Sequence, residues 1–184
     1  MFLLSEELTK RCYYFVSNNT LYKKTVEVHW DPNNLDLNKV LCSREIYDQI
    51  ENIWLPTLDV SSSSVMFAGS KLSIYNVRDD SGNNVRQMWD ALNKHPDKEY
   101  FPPGAYELLY LHSLTEKQFC QAITKKSFYD IYHNPATHRP TASRALASLV
   151  LLEGQGKLDY IMDMQKYIHW FMMNCYNALE YIKM

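Results

Sequence analysis

The last 27 residues constrain the fold more than any other stretch. From Leu158 to Met184, the residues Ile161, Met164, Ile168, Phe171, Cys175, Ala178 and Ile182 fall 3-4-3-4-3-4 apart, the spacing of a heptad seam. Tyr160, Tyr167, Trp170, Met172, Tyr176 and Leu179 carry apolar character well beyond that seam. A helix over this span needs cover on more than one side, because an apolar surface wider than one stripe is not left to water. Just before it, Thr141 to Glu153 (TASRALASLVLLE) is rich in Ala and Leu, and Gly154 is a natural C-terminal stop. The two segments predict a C-terminal helical hairpin with a long final helix. That final helix is then either the centre of the domain or covered in part by a second copy or a partner.

The first half reads as mixed. Residues 5–16 suggest a short helix, with Ser5 as cap and Glu6-Glu7 complementing the positive end of its dipole. Ser17 to Thr20 is a turn. From Leu21 to Trp30, Val26, Val28 and Trp30 alternate with Thr25, Glu27 and His29, a half-buried strand closed by Asp31-Pro32-Asn33-Asn34. Ile46, Ile50, Ile53 and Trp54 make one stripe of a helix over 43–54 that Pro56 stops. Residues 65–68 and 72–77 are two further short strands, and RDDSGNN (78–84) is a turn. A helix follows with Val85, Met88, Trp89 and Leu92 inward, and 93–104, with three prolines, is loop. Ser113/Glu116 and Thr115/Gln118 are overlapping capping boxes, so a helix begins there under either reading. The fold class is therefore α+β: one domain over 1–184, with a small antiparallel sheet from 21–30, 65–68 and 72–77 packed against helices.

With 184 residues the chain is long enough to bury a core without disulfides, and no internal repeat is visible. No run of 18 uncharged apolar residues offers a membrane span, and the start, MFLLSEELTKR, lacks the basic leader of a secretory signal. Lys+Arg 19 against Asp+Glu 21 leaves a net charge of −2, which argues against nucleic acid as a partner held by net electrostatics. Cys12, Cys42, Cys120 and Cys175 are scattered without a CxxC pair, as buried free thiols in a reducing cytoplasm would be. Tyr13-Tyr14-Phe15, Tyr106 with Tyr110, and Phe128 with Tyr129 and Tyr132 are aromatic clusters suited to core packing or an interface.

The densest chemistry lies in Tyr132 to Arg144, YHNPATHRPTASR. It opens onto a helix, whose free N–H groups and partial positive charge favour an anion. Arg139 and Arg144 could clamp phosphate or carboxylate, Thr141 and Ser143 could donate hydroxyls, and Asn134 adds an amide. His133 and His138 could move protons for a phosphate ester. They stand five apart, not at the i, i+4 spacing that aligns two ligands on a helix, and His29, His95, His112 and His169 are isolated, so no metal ligand is assigned. No glycine-rich phosphate loop or GxSxG elbow occurs, and no cofactor is implied.

Two short stretches resemble known families. An apolar stretch ending in Gly69-Ser70, with acids about ten residues on at Asp79 and Asp80, resembles the nucleotidyltransferase superfamily. There Gly-Ser grips a phosphate, and two carboxylates separated by one residue share a strand face and hold Mg²⁺. Asp79 and Asp80 are adjacent and sit in a turn sequence, which departs from that pattern. His112-Ser-Leu-Thr115 and His138-Arg-Pro-Thr141 resemble the HxT of paired-histidine phosphoesterases, but a spacing of three takes histidine and hydroxyl off a common strand face.

The reading that follows is a noncatalytic binding protein that self-associates or meets a protein partner through the C-terminal helix and the 133–144 loop. The alternative is a phosphate- or nucleotide-binding enzyme, a phosphoester hydrolase or nucleotidyltransferase-like protein, that uses the same loop. The predicted partners are thus a protein partner or homo-oligomer, or a phosphorylated small molecule or nucleotide, and no membrane.

Overall fold

A hairpin of two ten-residue strands forms the frame. The computed structural model of the chain describes residues 8–34, 36–38, 57–62, 64, 66–94, 101–132 and 142–181. Strand β1 (Leu8–Ser17) pairs antiparallel with β2 (Thr20–His29) over its whole length, from Leu8 opposite His29 to Ser17 opposite Thr20. The two-residue loop between them has both Asn18 and Asn19 at positive φ, 50° and 58°. This is the turn whose twist matches paired strands, and Asn tolerates it better than most residues. The predicted helix at 5–16 is thus a strand where it is described. From Arg11 to Phe15 every residue is buried, because both faces of β1 are covered. Such a strand reads as an unbroken apolar run, and its alternation is lost.

Three short strands complete the sheet: β3 (Thr57–Asp59), β4 (Ser127–Tyr129) and β5 (Leu179–Glu180), in the order β3-β4-β1-β2-β5. β4 runs antiparallel to β1, but β3–β4 and β2–β5 are parallel. The fold is α+β as its pattern predicts, with a mixed sheet in place of an antiparallel one. Of the three predicted strands, 21–30 stands. Phe67–Ser70 is a single helical turn (α1), and Leu72–Val77 is a run of turns in which Ser73 O accepts from both Asn76 N–H and Val77 N–H. Leu72 and Val77 are buried all the same, so the apolar pattern there reports burial and not extension. The predicted helix at 43–54 lies outside the described residues.

Among the longer helices, α2 (Val85–Asn93) packs on α3 (Ala105–Ser113); α3 and α4 (Glu116–Ile123) pack on α5 (Ala142–Gly154), and α5 packs on β1, β2 and β4. Asn84 with Gln87 caps α2, and Thr115 with Gln118 caps α4, each by the reciprocal exchange of a capping box. Ser113 takes no part, since it ends α3 and its hydroxyl donates to Leu109 O. In α5 all of Ala145 to Leu152 is buried, so this helix occupies the centre of the domain.

The long final helix is broken. Leu158–Met162 is a 3₁₀ turn, and Asp163, in extended backbone, caps a separate helix α6 (Met164–Asn174) by accepting from Lys166 N–H. After Cys175 the chain turns and becomes β5, where Glu180 accepts from Thr25 N–H at 2.6 Å. Tyr167, Trp170 and Phe171 form the buried stripe of α6; Phe171 and Cys175 of the predicted seam are buried, while Met164 is exposed. Tyr167 Oη meets Ser148 Oγ at 3.1 Å, and Trp170 Nε1 donates to Gln155 Oε1 at 2.8 Å. Among the described residues no helix is long and apolar enough to cross a membrane.

Candidate functional site

Of the residues that sequence singles out around 133–144, His133, Asn134, His138, Arg139 and Thr141 lie outside the described residues. Ser143 and Arg144 are placed at the start of α5. Ser143 is fully buried. Arg144 Nε and Nη2 both donate to Oε1 of Glu107 in α3, at 2.9 and 2.7 Å, and its guanidinium lies 5.3 Å over the Phe171 ring. Glu107 is only 1% exposed, so this cation neutralises a carboxylate the fold has buried. Burial is the largest influence and works against the Arg144 charge, yet Glu107, Tyr14 and Cys175 together outweigh it, and the guanidinium is held even more firmly protonated than usual. The pair ties α3 to α5 and rests on α6. Its partner stands 37 residues away, and no local pattern announces it.

The buried thiols give no nucleophile. Burial pushes the Cys12 thiol up to about 11, and Cys175 is also raised by burial, with Glu107 adding to it. Cys120, in contrast to the buried-thiol expectation, is exposed on α4. Asp59 and Asp130 lie at the C-terminal ends of the parallel pair β3–β4. Burial pushes Asp59 up to about 7, opposed by the backbone N–H of Ser61 and assisted by Asp130. Asp130 is pushed up to about 6 by burial, against the Tyr132 N–H and Arg11. Among the described residues, no three His, Cys, Asp or Glu side chains are grouped to hold a metal ion.

Gly69 and Ser70 do not form a phosphate grip in this arrangement. Gly69 packs against β3 so closely that a Cβ would fall 1.8 Å from the Asp59 carbonyl oxygen. Asp79 Oδ1 accepts from the N–H groups of Ser81 and Asn83, which is the work of a turn residue. His112 Nε2 lies 2.5 Å from the carbonyl of Ile161, fastening the end of α3 to the 3₁₀ turn.

A groove of about 810 Å³ lies between α2, α3 and α6. Two anchors set α3 and α6 antiparallel. At one end His112 holds Ile161, and at the other Gly104, at φ 95°, lies against Phe171 and Ile168. A Cβ on Gly104 would come within 2.8 Å of the Phe171 ring, so the close approach of the two helices requires glycine there. Trp89 and Leu92 form the α2 wall. Trp89 is fixed by an edge contact to Tyr106 at 5.2 Å and a tilted one to Phe101 at 5.8 Å. Leu108 and Leu109 line the α3 side, and Met164, Ile168 and Met172 the α6 side. Polar side chains enter only as Gln165, His112 and His169, and none of the lining residues is Lys, Arg, Asp or Glu.

The methionines at and ahead of α6 are exposed. Met164 is 66% exposed and Met173 75%, while Met162 just before the helix reaches 84%. Tyr176 and Leu179, beyond the helix, are exposed as well. Sequence marks Trp89, Leu92 and the α6 methionines as apolar positions seeking cover, but not that they meet on one surface. The arrangement can receive an apolar surface; it offers no acid–base pair, activated nucleophile or phosphate clamp among the described residues. The chain matches no known family model, and no curated protein is similar to it in sequence.

Proposed function

We propose that this protein is a noncatalytic interaction module whose contact face is the groove walled by α2, α3 and α6. One observation carries the reading: a groove of about 810 Å³ between three helices without a charged lining residue. Exposed apolar patches rimmed by polar residues are a common form of recognition surface. Methionine suits this use, since its unbranched, polarisable side chain repacks against partners of imperfect fit. The conspicuous buried charges, Glu107 and Arg144, serve each other, which supports a structural and not a catalytic use. Reading the 133–144 loop as a phosphate site rests on His133, Asn134, His138, Arg139 and Thr141, since Ser143 is buried and Arg144 is engaged by Glu107.

The test is an apolar fluorescent dye, ANS, titrated into dilute folded protein. The expected result is saturable binding that Leu92→Glu and Met172→Glu each abolish, while Glu153→Gln, at the exposed end of α5, leaves it intact. A dye signal that is absent, or indifferent to both groove substitutions, overturns the reading.

A further inference from the structure

We infer that the outer edge of β2 is a strand-addition site for an extended segment of another protein in which a glutamate precedes an aromatic residue, and that β5 occupies this site from within the chain. The inference concerns the sheet edge and stands apart from the groove reading. β5 displays what the site recognises. Leu179 and Glu180 pair in parallel with Tyr22 and Lys23, and Tyr181 N–H donates to Lys23 O at 2.7 Å. Glu180 prolongs the ladder with its side chain: Oε1 accepts from Thr25 N–H at 2.6 Å and Oε2 from Thr25 Oγ1 at 3.2 Å. The Tyr181 ring meets Phe15 and Tyr22 edge-on at 5.2 and 5.9 Å, and Lys24 Nζ donates to its carbonyl at 3.3 Å. Main-chain bonds supply attachment and alternate side chains supply specificity, which is how a sheet edge receives a peptide.

The resident strand is short for the edge it covers. β2 has ten residues, and β5 pairs with two of them. In an antiparallel pair alternate residues direct their main-chain groups away from the partner strand. The bonds at Lys23 O and Thr25 N–H therefore set the odd-numbered residues of β2 outward. Glu27 comes next in that row; it is exposed, and among the described residues no strand lies on its outward side. A longer segment thus makes every contact that β5 makes and extends the pairing past Thr25. Leu179 and Glu180 are exposed, so little apolar burial besides the Tyr181 ring opposes their release. Elements with few buried apolar contacts open without global unfolding. Charge fixes the glutamate: Lys23 stands directly opposite Glu180, where a basic residue would meet its like.

The full chain is titrated into a fluorescein-labelled peptide of residues 177–183, NALEYIK, which stands in for the partner and is read by anisotropy. Glu180→Lys in the chain loosens the resident strand, and unchanged circular dichroism with a cooperative thermal transition establishes that it folds. This variant is expected to bind the peptide at least about tenfold more tightly than wild type, whose own strand competes. Peptides carrying Glu180→Lys or Tyr181→Ala should bind the variant at least about tenfold more weakly. No saturable binding to the folded variant, equal binding by variant and wild type, or indifference to both peptide substitutions overturns the inference. A wild type that sediments as a dimer and dissociates when peptide is added assigns the edge to β5 of a second copy, and overturns the external partner. If Glu180→Lys fails to fold, hydrogen exchange of wild type decides. The Thr25 and Tyr181 amides should then exchange at least about tenfold faster than that of Val26, which faces β1, and equal protection overturns the inference.

Discussion

Asp59 predicts an unusual pH dependence of stability. Its side chain ends β3, its residue is 1% exposed, and its oxygens accept from Ser61 N–H at 3.0 Å and Ser61 Oγ at 3.2 Å. Those bonds favour the carboxylate, but burial outweighs them and pushes the group up to about 7. An unfolded aspartate titrates near 3.9, so between roughly pH 4 and 7 the folded chain binds more protons than the unfolded one. The sign follows: the stabilisation is full below about pH 4 and is lost as pH rises through about 7. A difference of about three units at 1.36 kcal/mol each makes the loss on the order of 4 kcal/mol. Asp130, pushed up to about 6, adds in the same direction over the lower part of that window.

Asp59→Asn removes the titration while keeping an oxygen that can accept from Ser61. Net of the weaker hydrogen bonds of a neutral acceptor, the variant should gain about 2–3 kcal/mol over wild type near pH 8 and nothing near pH 4. Urea unfolding of both proteins, followed by tryptophan fluorescence at pH values from about 4 to 8.5, measures this difference directly. A difference between variant and wild type that is constant across that range would refute the reasoning, whatever its sign. So would a variant less stable at alkaline pH, because the carboxylate would then be a favourable partner in the fold.

Further predictions concern packing. Arg144→Met strands the Glu107 carboxylate in the interior and should cost about 3–5 kcal/mol by urea unfolding, whereas Glu107→Gln costs less because Arg144 is a quarter exposed; the double variant should recover much of the loss. Gly69→Ala forces a Cβ into the Asp59 carbonyl and should destabilise by more than about 2 kcal/mol, while Gly154→Ala, open on all sides at the end of α5, should stabilise by about 0.5–1 kcal/mol. In native protein digested after brief alkylation, Cys120 should carry the label and Cys12 and Cys175 should be protected until denaturant is added.

What sequence makes legible is set by how local the cause is. The β2 alternation and the Thr115 capping box depend on residues within one or two turns and appear as read, Ser113 being already spent on α3, and α2 forms with Val85 buried, although Leu92, expected inward, is 38% exposed. β1 hid because its burial on both faces erased the period, though Asn18-Asn19 before a clear strand was a hairpin signal. β4 and β5 are three and two residues long and exist through pairing with strands more than a hundred residues away. The same distance concealed the site. Arg144 reads as an anion clamp until Glu107 is brought to it, and Trp89, Leu109 and Met172 become a groove only once three helices converge.

The apolar surplus of the C-terminus is where legible and hidden parts meet. Its sequence demands cover on several sides, and in the fold α5 takes the central place that could have supplied it. Asp163 then starts a helix of only eleven residues, which needs the interior for one stripe alone, Tyr167, Trp170 and Phe171. Of the remaining apolar positions, Met164 and Met172 line the groove without charge, and Met162 and Met173 are exposed. Substituting any of them with a polar residue would disturb no contact of the buried stripe. Met164 and Met172 are thus left at the surface because a helix this short, with one buried stripe, meets the interior on one side only.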